Sequence, residues 1–449
     1  MITWLKNPLS ILLDDKNTAL GGIVVQDNII IELLSFGQRP SHEVDQIFDA
    51  SEHVILPGLI NTHHHFYQTL TRAFPDALNK ELFPWLKSLY PVWAGLNEEM
   101  IHVSTRLAAT ELLLSGCTTV GDHHYVFPEA AREAVDIQVD AIQQVGVRGA
   151  LTRGSMSLGE DEGGLPPRNT IQKEDTILAD CERVIKNYHD ASDGSMMTIA
   201  LAPCSPFSVT EDLMKESANL ARDKGVRLHT HLAETFDEND FCIEVFGVRP
   251  VDYLERVGWL SDDVWLAHGI HFNDEEITRL GKAGVGITHC PSSNMVLGSG
   301  QCRTLELEKA GCPVGLGVDG SASADCSNMI QEVRQAMLLQ RLRYGSAEVT
   351  HFDAFRWATK GSAACIGRND IGEIAIGKQA DLALFKLDEL RFSGAGDPLA
   401  ALLLCGAYKA DRVMLAGEWK VTDGQVVDID LGELQNKHEL ARRTLANRP

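Results

Sequence analysis

Several features are missing from this 449-residue chain, and each absence removes a class of function. No uninterrupted apolar stretch reaches the about 18 residues that a membrane-spanning helix needs. The N-terminal "MITWLKNPLSILLDD" has only a short apolar run before two aspartates, and no charged segment leading into a small-residue cleavage site. No secretory leader is therefore expected, and the expected location is the cytoplasm. Positive charge is scarce: 63 acidic residues face 40 basic ones, a formal net charge of -23, which argues against a nucleic-acid partner. A small-molecule substrate is expected instead. The ten cysteines contain no CxxC pair and no disulfide-framework spacing, as in a reduced intracellular protein. Low-complexity linkers and internal repeats are absent. Homo-oligomers are common among soluble enzymes, so a homo-oligomer is the default expectation.

What is present is a rhythm. Eight short apolar runs, each followed by a helix-length segment, occupy residues 56–66, 118–128, 147–156, 197–207, 226–234, 263–272, 284–294 and 313–323. Runs apolar on both faces and separated by helices indicate parallel strands with crossover helices, and eight of them close a (β/α)8 barrel. The barrel is expected over residues 56–371. Two β-rich pieces, residues 1–55 and 372–449, flank it; neither is long enough to stand alone, so together they are expected to form one small β-sandwich. The tail "GELQNKHELARRTLANR" (432–448) reads as a helix packed on the outside.

Polar residues gather at the C-terminal ends of the eight runs, the end at which such barrels carry their sites. The first run continues as "NTHHHFYQ". Side chains alternate faces along a strand, so His63 and His65 point one way and His64 the other. Alone, this H-x-H fits a metal pair or a polar strand end equally well. Later strand ends add His231 and Glu234 in "HTHLAE", His268 in "AHGIH" and Asp319 in "GVDGS". Two histidines from the first strand, one from the fifth and an aspartate from the eighth suit a divalent metal with an open position for water. His229, one alternation before His231, is the residue most easily mistaken for a ligand. His123, His124, His271 and His289 read as structural or pocket-lining, and Cys204 and Cys290 as packing residues.

The motifs "PGLINTHHH", "HLAE", "AHGIH", "GVDG" and the late "GEIAIGKQADLALF" together resemble the amidohydrolase superfamily, in its aminohydrolase branch with one metal. The resemblance spans nearly the whole chain. It implies one divalent ion per chain, Zn2+ first and Fe2+ or Mn2+ as alternatives, on His63, His65, His231 and Asp319. It also implies Glu234 as proton shuttle, His268 as partner of the attacking water, and Asp319 as ligand and proton acceptor together. The implied reaction is hydrolytic deamination of an amino-substituted heterocycle. 8-Oxoguanine, giving urate and ammonia, stands first; guanine, isocytosine, a pterin or an s-triazine (with chloride or amine as leaving group) are the alternatives. A non-catalytic scaffold is disfavoured because every ligand position carries a competent residue. A deaminase of the cytidine type is disfavoured because its H-x-E and P-C-x-x-C signature is missing.

Two residues are expected to contact substrate. Gln68 follows the H-x-H by three positions, and its amide can pair a donor and an acceptor with a ring edge. Trp93 can stack on a planar ring. The Gly- and Pro-rich "SLGEDEGGLPP" reads either as a mobile cover over the barrel mouth or as a solvated insertion.

Overall fold

The computed structural model describes residues 1–13, 19–324 and 326–447. Asp14 and Asp15 of the N-terminal run, Asp325 and the end of the C-terminal tail at Arg448 lie outside the described residues. Eight parallel strands form one sheet in sequence order: β1 (Leu59–Asn61), β2 (Cys117–His124), β3 (Arg148–Ser155), β4 (Met197–Pro203), β5 (Leu228–Leu232), β6 (Val264–His268), β7 (Gly286–His289) and β8 (Val314–Leu316). All are buried along their length apart from Thr198, as expected of strands covered by helices outside and packed side chains inside.

Single bonds close the barrel where β8 meets β1. Thr62 donates to the Leu316 carbonyl from its N–H (3.1 Å) and from its hydroxyl (2.9 Å), and Asp319 N–H donates to the His63 carbonyl (3.1 Å). The side chain of Asn61 accepts from Val318 N–H at 2.9 Å.

The crossover helices start where local chemistry tells them to. Asn97 caps Glu98–Leu114, Thr210 caps Glu211–Lys224, and Asn273 forms a capping box with Glu276 at the start of Asp274–Ala283. Among the described residues no helix is long and apolar enough to cross a membrane.

The chain ends build two further sheets. A four-stranded sheet uses residues of the N-terminal piece alone, in the order Ile29–Leu34, Gly22–Gln26, Ile2–Lys6, Gln46–Asp49. A six-stranded sheet mixes both ends and includes His53–Pro57 beside Leu382–Lys386. Leu5, Ile23, Val25, Ile55, Leu382, Leu384 and Met414 pack into one buried cluster between them. The first apolar run is therefore divided. Residues up to Pro57 belong to the outer sheet, and β1 begins only at Leu59.

A buried ion pair ties the barrel to the outer sheet. The Arg148 guanidinium meets both oxygens of Asp381, at 2.7 and 3.0 Å, with both side chains almost fully buried. Removing either partner leaves an uncompensated buried charge, a loss of about 3–5 kcal/mol. The helix Leu431–Ala446 packs outside the barrel against Glu98–Leu114, and its His438 Nε2 meets the Thr69 hydroxyl at 3.1 Å.

Candidate active site

At the C-terminal end of the barrel, buried imidazoles converge with their protons assigned by the backbone. His65 Nδ1 lies 2.7 Å from the His123 carbonyl, and His231 Nδ1 lies 2.7 Å from the Cys204 carbonyl. A carbonyl only accepts, so each Nδ1 carries the hydrogen and each Nε2 presents a bare lone pair. His63 is fixed at one remove. Its Nδ1 donates to His229 Nε2 (2.8 Å), whose Nδ1 in turn donates to the Trp265 carbonyl (2.8 Å).

The three lone pairs then face acceptors. His231 Nε2 and His65 Nε2 are 3.2 Å apart, and His63 Nε2 and His65 Nε2 each lie 3.4 Å from Asp319 Oδ1. His63 Nε2 is buried with no hydrogen-bond partner among the described residues. Donors about 2.0–2.1 Å from one tetrahedral zinc stand about 3.3 Å apart, so the spacing matches a cation among them and is repulsive without one. This donor set fits a divalent metal.

Beside it stand the proton-handling groups. His268 Nδ1 bonds Asn294 Oδ1 at 3.0 Å, which turns Nε2 toward Glu234 Oε2 (3.4 Å) and Asp319 Oδ2 (3.8 Å). Glu234 Oε1 also accepts from the Ser299 hydroxyl at 3.2 Å. Burial, opposed by His268, raises the Glu234 carboxyl above its ordinary value. Burial works against the charged form of His268 too, yet the two facing carboxylates outweigh it and raise that imidazole. His65, by contrast, is pushed down to about 3 by burial and by His63. His268 and Asp319 both sit at left-handed backbone angles, φ +73° and +64°, which non-glycine residues adopt only when the surroundings impose it.

The cavity in front of these groups has a volume of about 30 Å³. His65, His231, Glu234, His268 and Asp319 form its floor, and Leu82, Trp85, Leu86 and Tyr90, one face of the helix Leu82–Trp93, form its roof. Gln68 lines it. Its Nε2 is buried without a partner among the described residues, and Gly320 admits it: a Cβ at residue 320 would meet Gln68 Oε1 at 1.9 Å. Trp93 does not line the cavity. It is buried behind Tyr67, Trp85 and Tyr90, with Nε1 on the Thr71 hydroxyl at 3.2 Å, and Trp85, about two turns earlier, lines the cavity instead.

Of the other histidines, His64 turns away to Ser327 Oγ (2.7 Å). His229 supports His63 from below. His124, His271 and His289 bond Val126, Ser299 and Gln340. His123 comes nearer than a structural reading suggests: it stacks on His231 at 4.7 Å, and its ring offers a nitrogen within 4.8 Å of those of His63, His65 and His231. The segment 157–167 is braced on the strand-end loop after β4, with Ser157 and Leu165 N–H groups on the Ser208 and Phe207 carbonyls, and contributes no residue to the cavity wall. Sequence reasoning missed Trp85, Tyr90, Tyr125 and Ser323. Only the apolar spacing of the roof helix pointed to Trp85 and Tyr90, and that spacing is shared with any core helix; Tyr125 and Ser323 stand in the loops after β2 and β8.

A parallel barrel with a histidine and aspartate donor set at its C-terminal mouth defines a metal-dependent hydrolase architecture. Residues 54–420 match the amidohydrolase family, and the chain belongs to it. It is 61% identical over 443 residues to 8-oxoguanine deaminase of Pseudomonas aeruginosa, covering 99% of each chain. It is 35% identical to isoxanthopterin deaminase of an unidentified prokaryote, covering 87% of this chain and 85% of that one. Its fold superposes with a TM-score of 0.93 on atrazine chlorohydrolase of Arthrobacter aurescens complexed with zinc, at 30% identity and with 98% and 100% of the two chains covered.

Proposed function

We propose that this chain is a metal-dependent aminohydrolase that converts 8-oxoguanine to urate and ammonia. The observation that carries the substrate is the 61% identity to an 8-oxoguanine deaminase along the whole chain. The site supports the reaction class. His63, His65, His231 and Asp319 are the residues that hold the ion, and zinc is the ion named for the triazine relative. When bound, a divalent cation there supplies Lewis-acid activation, lowering the pKa of water to about 7.

The remaining chemistry belongs to side chains. Asp319 and His268 orient the attacking water at the ring carbon that bears the exocyclic amine, and accept its proton. Glu234, held with a raised affinity for protons, protonates the adjacent ring nitrogen and so neutralises charge developing on the heterocycle. A further proton delivered to the amine lets ammonia depart. Gln68 Nε2 and the Tyr90 hydroxyl, both buried and unpartnered, are the groups that read the ring edge, and Trp85 covers its face.

A second reading, deamination of a pterin, draws on the isoxanthopterin relative. Ammonia release by the purified, metal-loaded protein over a panel of purines, pyrimidines, pterins and triazines separates the two. 8-Oxoguanine should give the highest kcat/KM. If a pterin leads instead, the class stands and the substrate changes.

A further inference from the structure

β5 ends at Leu232, and the chain then turns through Ala233 at φ +54° before presenting Glu234. A left-handed alanine is held by its surroundings or not at all. On one side the barrel supplies the hold: Ile270 and His271 N–H groups both donate to the Ala233 carbonyl at 2.9 Å, and Gly269 N–H donates to the Leu232 carbonyl at 3.1 Å. On the other side, among the described residues, there is a single group. Glu238 Oε1 accepts from Ala233 N–H at 2.6 Å, and Glu234 N–H is drawn to the same carboxyl.

Glu238 is the third residue of the helix Phe236–Phe246, the position from which an acid ordinarily reaches back to the helix cap. Here it reaches past the cap. Thr235 makes no side-chain capping bond, and its hydroxyl is buried without a partner. The Glu238 side chain is fully buried, and its Oε2 has no hydrogen-bond partner among the described residues. A carboxyl kept in such a place without pairing to a cation has one visible task, the backbone of the turn in front of it. It is absent from the cavity wall, whereas Glu234, four residues earlier, stands in that wall.

We propose that Glu238 is a positioning residue that sets the Glu234 carboxyl for proton transfer by clamping the left-handed turn at Ala233 from behind. The proposal rests on the reading of Glu234 as the proton shuttle. Glu234 lies 3.4 Å from His268 and 3.2 Å from Ser299, contacts with little slack, and a displacement of about 1 Å in such a group costs on the order of a hundredfold in rate. The metal ligand His231 is anchored separately, through its Nδ1 on Cys204 and its strand pairing, so loosening the turn leaves the donor set in place.

The experiment compares Glu238→Gln, Glu238→Asp and Glu238→Ala with Glu234→Gln, measuring kcat, KM, metal content and Tm for each. Gln keeps an acceptor at the same reach, whereas Asp keeps the carboxyl but is one methylene too short. Glu238→Gln should therefore retain most of the turnover. Glu238→Asp and Glu238→Ala should lose about a hundredfold in kcat with KM within about threefold and metal content unchanged. Turnover of the Asp variant within about threefold of wild type, a Gln variant as impaired as the Asp variant, or loss of activity in step with loss of metal would overturn the proposal. Should Ala fail to fold, the Gln and Asp pair decides. Full turnover in Glu234→Gln would instead remove the shuttle reading on which the proposal stands, an outcome distinct from a silent Glu238.

Discussion

His63 Nδ1 and His229 Nε2 stand 2.8 Å apart, and this bond determines which nitrogen of His63 is available at the site. His229 touches neither the cavity nor Asp319, yet its Nε2 accepts from His63 Nδ1 while its own Nδ1–H donates to the Trp265 carbonyl. Replacing His229 with leucine should lower metal affinity about tenfold to a hundredfold, as loss of a ligand's hydrogen-bonded support does elsewhere. Chelator competition against the purified protein reads this directly, and unchanged affinity would mean that the ring of His63 is held by packing alone.

The opposed faces of the histidine triplet make a paired prediction. His64→Asn should keep about wild-type metal content, because its ring bonds Ser327 away from the donors, whereas His65→Asn should be depleted. Elemental analysis after exhaustive dialysis distinguishes them. The reverse pattern would exchange their roles.

Turnover should depend on Glu234 far more than metal binding does. Glu234→Gln removes a proton carrier while preserving its shape, so kcat should fall by about 10²–10⁴ with the ion retained. Steady-state rates alongside metal content provide the check.

Substrate recognition should follow the roof helix at Tyr90, not at Trp93. Tyr90→Phe removes a buried hydroxyl that lines the cavity and should lower kcat/KM about tenfold, the worth of a hydrogen bond to a ring group. Trp93→Phe should lower Tm and leave KM alone, since that ring packs behind Tyr90. Equal KM effects in both would show that the wall moves as one body.

Stability should respond to pH through Glu332. This buried carboxyl accepts from Ser292 N–H (2.8 Å) and its hydroxyl (2.5 Å), and burial pushes it up to about 8. A carboxyl whose folded value exceeds its unfolded one stabilises fully below the unfolded value of about 4.5, and that contribution fades as pH rises toward 8. The slope from one such group is at most about 1.4 kcal/mol per pH unit. Glu332→Gln should therefore show a flatter dependence of Tm on pH between 5 and 8 than the native chain, and parallel profiles would assign the trend to other groups.

Much of this was legible in the amino-acid sequence, for reasons that also mark where legibility stops. The eight strands are readable because each is a buried apolar run ending in chemistry, as at "HTHLAE" and "GVDGS". The boundary at Gly58 is not, because His53–Pro57 and Leu59–Asn61 are both apolar and only pairing with Leu382–Lys386 assigns the first to an outer sheet. Alternation separates His64 from its neighbours. It cannot separate His229 from His231, since both share a face; the carbonyls of Trp265 and Cys204, on other strands, assign their different roles. Trp93 was the natural choice for stacking by type alone. Depth along the helix, a tertiary property, gives the place to Trp85.

The seam between β8 and β1 has one more consequence. The first and last strands of the barrel meet through a few bonds, and among these Asp319 N–H on the His63 carbonyl joins two proposed ligands of one ion. Chelation by those side chains is thus also circularisation of the sheet: an ion bridging them acts as a reversible crosslink closing a loop that is nearly the whole barrel. The entropy of such a loop grows only slowly with its length, but an ion that binds this closed state alone makes its whole affinity available to hold the ends together. Stripping the ion should then first free the amides at 62, 318 and 319 to exchange with solvent, opening the barrel as a zip at its seam before any strand in the middle of the sheet loosens.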